Sequence, residues 1–252
     1  MTATQSFKAT EVAAALAASV IAGIFCNPPQ VHAQDRLENS EASRIQQGLE
    51  IAPVPLYLFG KDLELVGLGS YLVNVVAGCN GCHTGGAPPN SDYAAGGNPY
   101  FGQRQRVDPT VYLSGGQDFG PAGTPTGPSM YAGPDIISRN LTPDKTGMPG
   151  GYTLVQFKQI MRSGIDFDHL HPTCTTAELN QIENSIAPLP VCIPTSPGDT
   201  VDGNLLQEMP WPTFSSMIDS DLDALYEYLS AIPCIEGPPD ATNPLHNDCG
   251  TE

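Results

Sequence analysis

Apolar residues recur at helical spacing in three strong stretches and one weak one. The strongest runs from about Asp62 to Cys79, where Leu65, Leu68, Leu72, Val75 and Val76 mark one face. Gly67 and Gly69 interrupt this pattern. A glycine inside a helix costs about 1 kcal/mol relative to alanine. The pair therefore predicts close approach by another helix, or else a helix that starts only after Gly69. A second helix is predicted from Leu154 to Ser163. Thr153 suits its N-cap, Gln156 completes a capping box, and Gly164 stands at the stop. The third runs from about Asp219 to Ala231, with Leu222, Leu225, Tyr226 and Leu229 as its stripe. Asp219 or Ser220 is its expected cap, and Pro233 ends it. Its first turn also holds Asp221 and Asp223, where the helix dipole favours acids; a docking patch is the functional alternative. The weak stretch is Ser40 to Glu50, with Ile45 and Leu49 four apart, inside a polar arm that Pro53 and Pro55 close.

Between these helices the periodicity disappears. Residues 84–151 and 165–207 are rich in Gly and Pro and read as long loop insertions, with a short strand expected near Val111 to Leu113. Loops this long are uncommon unless a function or a ligand holds them. The chain has 26 Gly and 25 Pro in 252 residues, enough to predict many loops but below the level that signals disorder. The expected class is mostly α.

The N-terminus alters the organisation. Val12 to Phe25 is apolar apart from one serine, too short for a bilayer span but right for a signal peptide core. Val31-His32-Ala33 offers a cleavage site, with Gln34 as the first mature residue. Phe25 is too bulky for Cys26 to serve as a lipoprotein anchor; an uncleaved anchor helix is the alternative. The expected organisation is a signal peptide at 1–33, an arm at 34–60 and one domain at 61–252. The mature protein would be periplasmic or otherwise exported, with no membrane span. The formal net charge of −17 disfavours nucleic acid and anionic lipid as partners. It suits a partner protein with a basic or neutral docking surface, although solubility alone also accounts for it.

The cysteines carry the chemistry. Cys79-Asn80-Gly81-Cys82-His83 is the Cys-x-x-Cys-His pattern of covalent c-haem attachment. The spacing sets two thiols one helical turn apart for the haem vinyl groups, and the histidine becomes the proximal iron ligand. The pattern occurs once. A thioredoxin-like pair would want a strand before it, and a zinc ribbon a second close cysteine pair. Cys174, Cys192, Cys234 and Cys249 remain after signal removal. Four cysteines permit three pairings; the local ones, Cys174–Cys192 and Cys234–Cys249, are favoured. His169 and His171 form a His-x-His pair beside Cys174 that reads best as ordinary loop histidines, with a second metal site or an alternative axial ligand as the sharper reading.

The sixth iron ligand is expected to be Met or His. Met130, Met148, Met161, Met209 and Met217 are the methionines of the mature chain. Met161 and Met217 fall where core packing is the better reading. Met209 precedes Pro210-Trp211-Pro212, a stiff turn suited to presenting a thioether, with Trp211 packing on the haem or in the core.

At these motifs the chain resembles the large class I bacterial cytochromes c, related to the cytochrome subunits of periplasmic alcohol, aldehyde and gluconate dehydrogenases. The resemblance rests on Gly69-Ser70-Tyr71-Leu72, His83-Thr84, Asn140-Leu141-Thr142-Pro143-Asp144, Arg162-Ser163-Gly164, Met209-Pro210-Trp211 and Tyr226-Glu227-Tyr228-Leu229. It covers about Gly67 to Pro233. It implies a class I cytochrome c fold with one haem c, in which the helix before the haem crosses the last helix, with Gly69 opposite Tyr226 and Leu229. It implies Met209 as distal ligand. The turn at Arg139-Asn140-Leu141 would give the Arg139 carbonyl to His83, and the Arg139 guanidinium would meet a haem propionate. The implied role is an electron carrier and not an enzyme, or else an electron-accepting subunit of a dehydrogenase or oxidase complex. The dehydrogenase subunits carry several haem motifs, and their pattern lacks the four extra cysteines.

Overall fold

In a computed structural model the described residues are 31–84, 101–104, 106–117, 119, 136–168, 202–237 and 249, with side chains of the first helix described from residue 38. Helix α1 is Val31–Ile51 and α2 is Leu63–Tyr71. A π-helical turn, Leu72–Val76, leads to a short α3, Asn80–His83. Then follow α4 (Leu154–Ser163), α5 (Trp211–Phe214) and α6 (Asp219–Leu229). The regular structure is helical; among the described residues there is no strand, only the isolated bridges Pro143–Pro149 and Ile165–Leu205.

Helix α2 forms the middle of a three-helix layer. Its start is fixed by Asp62, whose carboxylate accepts from the N–H groups of Glu64 and Leu65 at 3.0 and 3.2 Å. Its two glycines, 200° apart on the helical wheel, then face opposite neighbours. A Cβ on Gly67 would stand 2.6 Å from the Ile45 carbonyl oxygen of α1. A Cβ on Gly69 would stand 1.9 Å from the Ala224 carbonyl oxygen of α6 and 2.7 Å from the Tyr228 Cβ. Close helix approach is thus the reason for both glycines, and α2 does not start late. The partners of Gly69 are Ala224 and Tyr228, one face away from the expected Tyr226 and Leu229. Tyr226 turns instead toward α4, donating to the Tyr152 carbonyl at 3.0 Å and meeting the Phe157 ring edge-on.

Three expectations need correction. The arm is not merely polar: α1 runs well beyond Ser40–Glu50, and Gly48 and Ile45 dock on α2, where the Ser70 hydroxyl donates to the Gly48 carbonyl at 2.6 Å. Its first residues span the expected cleavage position, while residues 1–30 lie outside those described. The helix before the cysteine motif is not continuous to Cys79. It widens at the π turn, where Ala77 N–H donates to the Leu72 carbonyl, and breaks at Gly78, whose φ is +60°. Val111–Leu113 is a tight turn and not a strand, with the buried Leu113 held at φ +56°.

Helix α4 has the expected capping box at Thr153 and Gln156 and a left-handed C-cap at Gly164. Helix α6 begins after Ile218, which takes the N-cap position in place of the expected Asp219 or Ser220 and, being apolar, offers no side-chain cap. Arg162 pairs with Asp219 at 2.6 Å and Lys158 with Asp223 at 2.7 Å. The core gathers Val66, Leu68, Val73, Phe157, Leu222 and Leu225. Met161 is buried in it and Met217 packs against it, so both serve packing. The Cys234–Cys249 disulfide is present. The expected Cys174–Cys192 pairing, His169, His171 and Met130 lie outside the described residues. No helix among the described residues is long and apolar enough to cross a membrane.

Candidate functional site

The break at Gly78 turns the chain into α3, which carries the cysteine motif. Cys82 and His83 N–H groups both donate to the Cys79 carbonyl, at 3.2 and 2.9 Å, so the motif closes as one helical turn. Neither thiol is in a disulfide. The Cys82 side of the turn is exposed, whereas burial pushes the Cys79 thiol up to about 12, against a lowering backbone hydrogen bond.

His83 is oriented from outside the motif. Its Nδ1 lies 2.8 Å from the Arg139 carbonyl. A carbonyl oxygen can only accept, so Nδ1 carries the hydrogen and Nε2 presents its lone pair. Burial lowers the pKa of the ring; the Arg139 carbonyl opposes that shift and the Arg139 charge adds to it. The net effect favours neutral imidazole, the form that ligates metal.

The loop that supplies this carbonyl is built tightly. Gly115 N–H donates to the His83 carbonyl at 2.7 Å, and Leu141 N–H to the Leu113 carbonyl at 2.9 Å. A Cβ on Gly115 would lie 2.5 Å from the Ser138 carbonyl oxygen, and its φ is +68°. Only glycine at 115 lets the 138–140 loop reach the histidine. Asn140 is buried. Its side-chain oxygen accepts from Thr142 N–H at 2.9 Å, and its amide donates to the Ile235 carbonyl at 2.6 Å. Asn140 thus shapes the turn beneath His83 and anchors it to the segment after α6.

The Arg139 guanidinium, the group expected to meet a propionate, is engaged by protein side chains. It pairs with Asp166 and Asp168 and donates to the Tyr152 hydroxyl at 2.6 Å. Burial alone would weaken its charge, but Tyr152, Asp168 and Asp166 together raise its pKa. None of these three residues belongs to a sequence motif. An arginine in a chain this acidic, beside a buried turn, needs carboxylate partners, and that was the available signal.

Met209 and Trp211 lie on a different segment. Met209 is half-buried against the core. Trp211 packs its ring on Gly164, where a Cβ would lie 2.3 Å from the indole, and its Nε1 donates to the Leu206 carbonyl at 3.2 Å. Trp211 is thereby tied to the end of α4. Met148 sits in the Asp144 turn, where its N–H donates to the Asp144 carboxylate at 3.1 Å.

The proximal half of a c-haem site needs two unbridged thiols a helical turn apart and an imidazole with bare Nε2 held from behind. Cys79, Cys82 and His83 fit those requirements. Among the described residues, no group of three His, Cys, Asp or Glu side chains is placed to hold a bare metal ion. No family model, curated protein or solved structure matches the chain.

Proposed function

We propose that this chain is an exported monohaem cytochrome c of the class I type that carries single electrons. Cys79 and Cys82 would hold haem c covalently, with His83 as proximal and Met209 as distal ligand. The observation that carries the reading is the 2.8 Å contact between His83 Nδ1 and the Arg139 carbonyl, directly beneath an unbridged Cys-x-x-Cys turn. The contact fixes the tautomer that leaves the Nε2 lone pair for a ligand, and its position against the Cys-x-x-Cys turn supports the haem reading. Bound haem iron supplies a one-electron couple. Cys79 and Cys82 would attach it and His83 would orient toward it. Cys79 and Cys82 would be the residues held by thioether bonds, each thiol supplying its sulfur to one vinyl carbon and its hydrogen to the other, so that nothing would leave. The Arg139 carbonyl keeps the imidazole from turning. Pro210 and Pro212 stiffen the Met209 turn, and Met209, if it held the iron, would raise the potential relative to a histidine there.

Redox titration of the purified exported protein tests this reading. A reversible one-electron cycle is expected, with a methionine-to-iron charge-transfer band in the ferric form that disappears in Met209→Ala. A band that survives the substitution removes Met209 as ligand; no reversible cycle removes the carrier function.

A second reading draws on Val75 and Val76, which are 49% and 62% exposed immediately before the motif. Apolar surface beside the attachment turn suits a fixed partner, and makes the chain an electron-accepting subunit of a dehydrogenase or oxidase complex. Co-purification with a larger catalytic subunit distinguishes the two.

A further inference from the structure

We infer that Asp166 is a positioning residue that fastens both axial-ligand segments of the proposed haem site to one short stretch, Gly164–Asp168. This rests on the haem reading above and goes beyond it. Asp166 is buried, with its side chain 1% exposed, and its carboxylate ion-pairs with Arg139. The same Oδ1 accepts from the Asp168 N–H at 3.2 Å. Asp168 takes the other arm of the guanidinium fork and the Tyr152 hydroxyl, the latter at 2.6 Å. A planar guanidinium gripped at both arms cannot swivel. Its backbone carbonyl, at the other end of the same residue, is the acceptor for His83. The carboxylates therefore set the position of the group that orients the proximal ligand.

The other side of Asp166 faces the Met209 segment. Asp166 N–H donates to the Asn204 carbonyl at 2.7 Å, and Leu206 N–H donates to the Gly164 carbonyl at 2.8 Å. Residues 164–166 are thus zipped to 204–206. Three residues further on is Met209, whose carbonyl accepts from the Trp211 N–H at 2.7 Å, and the Trp211 ring lies on Gly164. Met209 is held between two attachments to the same stretch. A buried ion pair is a poor source of net stability but a good way of enforcing one geometry. The Asp166 carboxylate holds Arg139 while the backbone of the same stretch holds the Met209 segment, so a shift of residue 166 reaches both ligand supports.

The test uses ferric holoprotein and imidazole, a probe that competes with Met209 for the sixth position. Asp166→Asn keeps the volume and an acceptor but removes the charge. Its imidazole affinity is expected to rise about 10-fold over wild type, the scale on which residues behind a metal ligand act. Asp168→Asn, at an exposed residue, is expected to raise affinity less, in the same direction. Asp219→Asn, which breaks the ion pair between α6 and Arg162 of α4, is expected to leave affinity unchanged. Wild-type affinity in both Asp166→Asn and Asp168→Asn overturns the inference, and a lowered melting temperature alone marks a merely structural pair. If Asp166→Asn does not accumulate, Asp168→Asn decides. Wild-type protein without covalent haem is a separate result and overturns the underlying reading instead.

Discussion

Around α2 the structure is held by backbone lying against backbone across glycines, with apolar side chains filling the flanks; around His83 it is held by hydrogen bonds and ion pairs from loops. The two regions meet at a buried polar knot. The Tyr112 hydroxyl reaches Asn74 on the π turn at 2.7 Å and the Tyr228 hydroxyl on α6 at 2.9 Å. The contrast teaches that the two regions fail differently. The helical layer is intolerant of volume, because an added carbon has nowhere to go. The histidine cradle is intolerant of a missing partner, because each buried polar group depends on a specific acceptor.

The largest expected effect strikes the helical layer. Gly69→Val forces a Cβ onto the Ala224 carbonyl and should cost about 4 kcal/mol in urea denaturation. A loss under about 1 kcal/mol would show that the layer yields and that the contrast is false. Next is the Cys234–Cys249 disulfide, which closes a 15-residue separation beside the Ile235 carbonyl that anchors Asn140. Cys234→Ser should cost about 3 kcal/mol. It should also increase hydrogen exchange at Thr142 N–H more than at α2 amides; equal increases would mean that the two regions are one cooperative unit. Tyr112→Phe removes the hydroxyl that joins them and leaves Asn74 and Tyr228 short of a partner. About 1–2 kcal/mol should be lost in thermal unfolding, and a neutral result would show that the knot is not shared.

The smallest effect is electrostatic. Asp219 is held below the ordinary aspartate value of 3.8 by its hydrogen bond from Arg162, with Lys158 adding to the shift. Its contribution is complete above 3.8 and is lost as pH falls through the lowered folded value. Asp219→Asn should therefore lower stability slightly above pH 3.8 and not at lower pH, so that urea midpoints fall less steeply with acid than in wild type; an unchanged slope would remove the effect, which is small because the residue is exposed.

The same contrast explains what was legible in the sequence. Helices α2, α4 and α6 carry apolar periods, and Thr153, Gln156 and Gly164 cap α4 as their residue types require. Gly67 and Gly69 announced close neighbours, but the partners depended on helix rotation, which a single stripe does not specify. The His83–Arg139 contact followed from a resemblance in the Arg139-Asn140-Leu141 turn. The role of Asp166 and Asp168 was hidden because ion pairs across loops have no period. The break at Gly78 was hidden because Val75 and Val76 continue the apolar pattern past the point where the helix widens, and both are exposed there.

The central claim is covalent attachment at one turn, and the most direct measurement is the intact mass of the denatured exported protein, with thiol counting by alkylation. The expected result is the mature chain plus one haem, no alkylation at Cys79 or Cys82, and loss of the added mass in Cys79→Ser/Cys82→Ser. A wild-type mass equal to the bare chain, with Cys79 and Cys82 both alkylated, contradicts it.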